Sequence, residues 1–123
     1  YPTFIEMLRD VNSHVGAPPT DLLALGRTYT DRVTGLHYNV LTEIMNTYDP
    51  ESYTPLNANP VDSLKEIGMQ KFPSPGTFTP ETYAEFVALL KKIQEFLGLD
   101  NLSHVDHFLN YVYWKYVKHQ DYD

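Results

Sequence analysis

Apolar residues recur along most of the chain at three- and four-residue intervals, the spacing that places side chains on one face of an α-helix. Phe4, Met7, Leu8, Val11 and Val15 form the first such stripe, ending at Gly16. Thr3 and Glu6 stand three apart at its start, the spacing of a capping box in which each side chain bonds the other's free backbone N–H. Pro18-Pro19-Thr20-Asp21 opens a second helix through Leu22, Leu23, Leu25, Tyr29 and Val33, stopping at Gly35. A third is predicted from about Leu36 to Tyr48, closed by Asp49-Pro50.

Asp49 to Asn59 reads as a loop stiffened by Pro50 and Pro55. Asn59 is then the expected cap of a short helix with Pro60 in its first position, Val61, Leu64 and Ile67 inward, and Gly68 as the stop. A second loop, rich in proline and glycine, covers Phe72 to Phe78. Thr79-Pro80 starts the longest helix, to Leu97. Its inward face takes Tyr83, Phe86, Val87, Leu89, Leu90, Ile93, Phe96 and Leu97. Gly98 ends it. Ser103 with Asp106 is the expected capping box of a last helix reaching about Lys118. No alternating strand with hairpin chemistry appears. The fold expected is one all-α domain over residues 1–123, a compact bundle of five to six short helices.

Composition removes several function classes. The 123 residues contain no cysteine, which excludes disulfides, thiolate metal sites and cysteine nucleophiles. The net charge is −7, with three basic and seven acidic residues in the first 60 positions and six and nine in the rest. So evenly acidic a chain is not a general phosphate-binding surface. No apolar run is long enough to span a membrane. The chain starts Tyr1-Pro2-Thr3 without a basic n-region, which points to no signal peptide and to trimming from something longer. A cytoplasmic location is the expectation. P-loop, dinucleotide, serine-hydrolase and zinc-protease motifs are all absent, as is an Asp-rich calcium loop. No cofactor, metal or catalytic residue is assigned.

Candidate chemistry concentrates on the last helix. Stepping 100° per residue from Tyr111 gathers Val105, Phe108, Leu109, Val112, Tyr113 and Tyr116 on an apolar face. The opposite arc holds His104, His107, Tyr111, Trp114, Lys115 and Lys118. Flat aromatic rings beside long cationic side chains suit an anionic, planar or acidic-peptide ligand. The alternative is that Tyr111 and Trp114 pack under a neighbouring element while the lysines reach water. His104 and His107 share a face, but Asp106 points elsewhere and no third metal ligand accompanies them. Asn57, in a stretch without Lys or Arg from Val33 to Leu64, is a further candidate for ligand contact. Arg27, Tyr29, Asp31 and Arg32 read as a solvated face or an internal ion pair.

Two stretches together resemble helical modules attached to McrBC-type, modification-dependent restriction proteins. They are IMNTYDPESYTPLNANPVDSLKEIG at 44–68 and YAEFVALLKKIQEFLGLDNLSHVDHFLNYVYWKY at 83–116. The shared order is a helix, a Pro-x-x-Tyr-x-Pro-Leu-Asn loop, a short helix ending Leu-x-x-Ile-Gly, a long helix, and a closing Val-Asp-x-Phe-Leu helix with Trp. The resemblance implies an accessory or DNA-recognition domain beside a covalently linked NTPase or nuclease domain. It singles out Pro55, Leu56, Asn57, Asp106, Phe108, Leu109 and Trp114. The bulk at Asn110–Tyr113 departs from the pattern. The leading expectation is a non-catalytic recognition or interaction module with a protein partner, weak nucleic-acid contact and no membrane contact. The alternatives are a free-standing inhibitor or immunity-type protein, and a small helical enzyme using His104, His107 and Asp106.

Overall fold

A computed structural model describes residues 2–33 and 36–119. It contains α1 (Pro2–Ser13), α2 (Pro19–Thr30), α3 (Tyr38–Tyr48), α4 (Ala58–Glu66), α5 (Pro80–Leu97) and α6 (Leu102–Val112). A 3₁₀ turn (Pro75–Thr77) precedes α5, and a single π-helical turn (Tyr113–Val117) continues α6. Among the described residues there is no strand, and the all-α bundle is as the pattern predicts. No helix is long and apolar enough to cross a membrane among the described residues.

The long helix α5 is central, with α2 and α6 packed against it. Tyr83, Phe86, Val87, Leu90 and Ile93 bury its inner face. Thr79 Oγ1 accepts the Thr82 N–H at 3.1 Å, with Pro80 at the first helical position, as expected from sequence. The helix ends at Gly98, whose φ of 69° is left-handed, and Leu99 N–H reaches back to Gln94 O at 3.0 Å. The Pro/Gly-rich loop is pinned by rings: Phe72 and Phe78 lie edge-on to Phe86, with centroids 5.3 and 5.7 Å away.

Between α3 and α4 the chain runs through the interior without regular secondary structure. Tyr53, Thr54, Pro55 and Leu56 are all buried. Buried backbone without a ladder must find other partners. Asn46 Nδ2 donates to Tyr53 O at 2.8 Å, and Leu56 N–H donates to Thr42 Oγ1 at 2.8 Å. The Tyr83 hydroxyl donates to Thr54 O at 2.8 Å and accepts Thr54 N–H at 3.2 Å. Pro55 has no N–H to satisfy. Tyr53 OH in turn donates to Ala17 O at 2.6 Å and accepts Gly16 N–H at 3.0 Å, tying the segment to the α1–α2 turn. Burial pushes the Tyr53 and Tyr83 phenols upward, so both stay neutral donors.

Three helix starts differ from the sequence expectation. Thr3 lies inside α1, which has already begun at Pro2. Ser103 and Asp106 are not a capping box: Asn101 caps α6, its side chain accepting His104 N–H at 3.1 Å. Ser103 Oγ instead donates to Asn46 Oδ1 at 3.0 Å. Asn59 does not cap α4, which starts two residues earlier than expected, with Asn57 at the cap position. Its Nδ2 bonds Asn110 Oδ1 at 3.1 Å, across to α6. In each of the last two cases a tertiary partner outcompetes the local one.

Gly26 lies where α2 crosses α3. A Cβ there would stand 2.5 Å from Leu41 Cδ2, and Leu41 is fully buried. Helix propensity alone favours Gly26→Ala by up to about 1 kcal/mol. Overpacking against an immobile side chain costs about 1–3 kcal/mol. Gly26→Ala is therefore expected to lower stability by about 1 kcal/mol or more in urea denaturation, a sign opposite to the propensity expectation.

Candidate functional site

Of the sequence-predicted row, His104, His107 and Tyr111 lie on α6, Lys115 lies in the π turn, and Lys118 follows that turn beside Tyr113. His104, His107, Tyr111, Lys115 and Lys118 are exposed, whereas Leu102, Val105, Leu109 and Val112 of the same helix are buried. His104 Nδ1 lies 3.7 Å from Asp100 Oδ2, one turn earlier. Lys115 Nζ sits 5.6 Å from the Tyr111 ring centre, and Lys118 Nζ sits 5.9 Å from that of Tyr113. Trp114 is half-buried and meets Tyr113 edge-on at 5.3 Å. It is neither a fully displayed platform nor a core residue.

The regular 100° step holds only to Val112. Beyond it the backbone widens, and Lys118 N–H bonds Tyr113 O at 2.9 Å, an i→i+5 closure. The wider turn carries Tyr116 away from the apolar face on which the regular step places it; it is 51% exposed.

The other flank of α6 is a polar layer facing α3 and α4. Asn110 Nδ2 donates to Asp106 O at 3.1 Å and approaches Asp106 Oδ2 at 3.4 Å, while its Oδ1 accepts from Asn59. Ser63 Oγ donates to Leu109 O at 2.7 Å. Asp106 Oδ1 is buried and has no hydrogen-bond partner among the described residues. Burial raises the Asp106 carboxyl to about 6; the His107 imidazole opposes this and the Glu43 carboxylate adds to it. Asn57 is half-buried at the α4 cap, its side chain bonding no helix N–H. The bridge to α6 is made by Asn59, a role the sequence does not signal.

Sequence reasoning missed a third feature. Phe96, Leu97 and Ile67, all expected to face inward, are 88%, 42% and 43% exposed. α4 ends at Glu66, and Gly68 (φ 79°) turns the chain away, so no described element covers this side of α5. What remains is an open groove of about 470 Å³ lined by Ile67, Met69, Leu89, Ile93, Phe96 and Phe108, with Lys92 as its charged lining residue. A helical angle assigns a residue to a face; whether a neighbour exists to cover it is a tertiary fact.

On the α1–α2 side, Tyr29 OH donates to Asp10 Oδ2, which raises the phenol to about 12. The Arg32 guanidinium stands 4.8 Å from the Tyr29 ring centre. These groups serve packing between helices. Among the described residues, no group of three or more His, Asp or Glu could hold a metal ion. No protein-family model, curated protein or solved structure matches the chain.

The raised Asp106 carboxyl has a pH signature. The folded protein holds this proton more tightly than the unfolded chain, whose value is 3.8. The stabilisation is complete below about pH 4 and is lost as pH rises through about 6. Asp106→Asn is expected to flatten the stability profile between those limits and to raise stability at pH 7.5 by on the order of 2 kcal/mol. Urea titrations across that range read both effects.

Proposed function

We propose that this chain is a non-catalytic recognition module, an accessory domain of the kind that McrBC-type restriction proteins carry, and that its contact surface is the exposed side of α6. The observation that carries this reading is that the core closes without His104, His107, Tyr111, Lys115 and Lys118. The π turn supports it as well, since such turns are rare and concentrate at functional sites. So does the resemblance over 44–68 and 83–116. The partner is a linked NTPase or nuclease domain, or a separate protein, with nucleic acid touched weakly.

Two lysines and a net charge of −7 set the scale of any nucleic-acid contact. Each phosphate neutralised on a single strand contributes about −0.7 to the slope of log affinity against log salt, so the slope should be about −1.4. Binding should lie at the weak end of the non-specific range, around 10⁻⁴ M at physiological salt.

A second reading is a protein that inhibits another by binding it, favoured by the open groove beside Phe96.

The test is Lys115→Glu with Lys118→Glu, alone and with Trp114→Ala, measured by circular dichroism and by titration with a fluorescent single-stranded oligonucleotide at low salt. The expected result is retained helicity and binding reduced at least tenfold. Unchanged binding by a folded variant would remove the α6 side as the contact surface. Unfolding caused by Trp114→Ala alone would identify Trp114 as a packing residue.

A further inference from the structure

We infer that the groove between the end of α4, the second half of α5 and the middle of α6 is a docking site for an amphipathic helix of another protein, with acidic residues beside its apolar anchors. Its floor continues the core: Ile93 is 7% exposed, and Leu89 and Phe108 are half-buried and packed against the interior. Its rim holds the most exposed large apolar side chain described, Phe96 at 88%, beside Met69 at 44% and Ile67 at 43%. A concave apolar strip walled by helices is the geometry that receives one face of another helix, through anchors at i, i+3, i+4 and i+7.

Charge selects the occupant. The charged side chain lining the groove is Lys92, no carboxylate lines it, and Lys92 forms no salt bridge among the described residues. An acidic residue on the incoming helix would meet a cation whose stem lies along apolar surface and whose amine has no ion-pair partner among the described residues. The chain's overall negative charge does not cancel this. At physiological salt the screening length is about 8 Å, so distant carboxylates fade while a contact pair persists.

A second copy of this chain fits less well. A fully exposed phenylalanine presents roughly 150–250 Å². With its half-exposed neighbours the patch reaches about 400 Å², within the range of a monomer's largest patch. A stable dimer needs roughly 800 Å² from each partner. Two copies would also bring together chains of charge −7 and set Lys92 of each near the same patch of the other.

The test pans the whole chain against a displayed library of random peptides of about 16 residues, long enough for a bound helix. Phe96→Ser serves as the counter-selection bait; because Phe96 is a surface residue, that variant should keep the helicity of the parent. The expected outcome is enrichment of sequences with apolar residues at i, i+3 or i+4 and i+7, flanked by Asp or Glu. Synthetic versions should bind with micromolar Kd, weaken at least tenfold against Phe96→Ser, and weaken against Lys92→Glu. Lys115→Glu with Lys118→Glu should leave them within about twofold, which separates this site from the α6 side. Three results would overturn the proposal. One is no sequence enriched over the Phe96→Ser control. Another is enrichment of basic peptides, or binding indifferent to Lys92→Glu. The third is concentration-dependent dimerisation in sedimentation velocity that Phe96→Ser abolishes, which would assign the groove to a second copy.

Discussion

Four residues of irregular chain, Tyr53 to Leu56, run through the interior of this helical protein, and their backbone polar groups must be satisfied there without a strand beside them. Each unmet buried group costs about 1–3 kcal/mol, comparable with a large part of the stability of a small domain. The solution uses one side chain from α5 and two from α3. Tyr83 serves both the N–H and the C=O of Thr54; Thr42 serves Leu56, and Asn46 serves Tyr53. Because these donors and acceptors belong to different helices, the segment fixes the helices as much as they fix it. Tyr53 extends the tie to the turn between α1 and α2, and Pro50 O accepts Leu102 N–H at the start of α6.

That tie explains the surfaces left over. With Asn46 bonded to both Tyr53 and Ser103, the first turn of α6 is held against α3. Asn59 and Ser63 then hold the middle of α6 against α4. One flank of α6 is thus committed to polar contacts within the fold. Its far side, with His104, His107 and Tyr111, faces solvent, as do Lys115 in the π turn and Lys118 after it. Its remaining flank, at Phe108, forms one wall of the groove with α5. The two candidate contact surfaces are neighbours because a single helix supplies both.

Much of the helical framework was legible because glycine and proline mark its ends. Gly16, Gly68 and Gly98 adopt φ values of 105°, 79° and 69°, which side-chain-bearing residues avoid. Thr79-Pro80 starts a helix by local chemistry alone. The caps assigned to Asn59 and Ser103 failed because their side chains bond Asn110 and Asn46, about fifty residues away in sequence. No local pattern reports such partners. Proline content signalled a stiff Asp49–Asn59 connector, but not that its centre is buried. The α6 row was readable up to Val112, where the regular helical step ends. The groove was invisible because Phe96 has the right angle for the core and no described element covers it.

Amide hydrogen exchange at Thr54 and Leu56 tests the central claim most directly. Both N–H groups lie in irregular chain, and both bond to side chains, Tyr83 Oη and Thr42 Oγ1. If the buried segment holds the helices together, these amides open only with global unfolding. Their protection should then equal that of the slowest amides in α5, and Tyr83→Phe should lower all of them together. Exchange at Thr54 and Leu56 several orders of magnitude faster than in α5, with α5 unaffected by Tyr83→Phe, would show that the segment is a passenger in a bundle stabilised elsewhere.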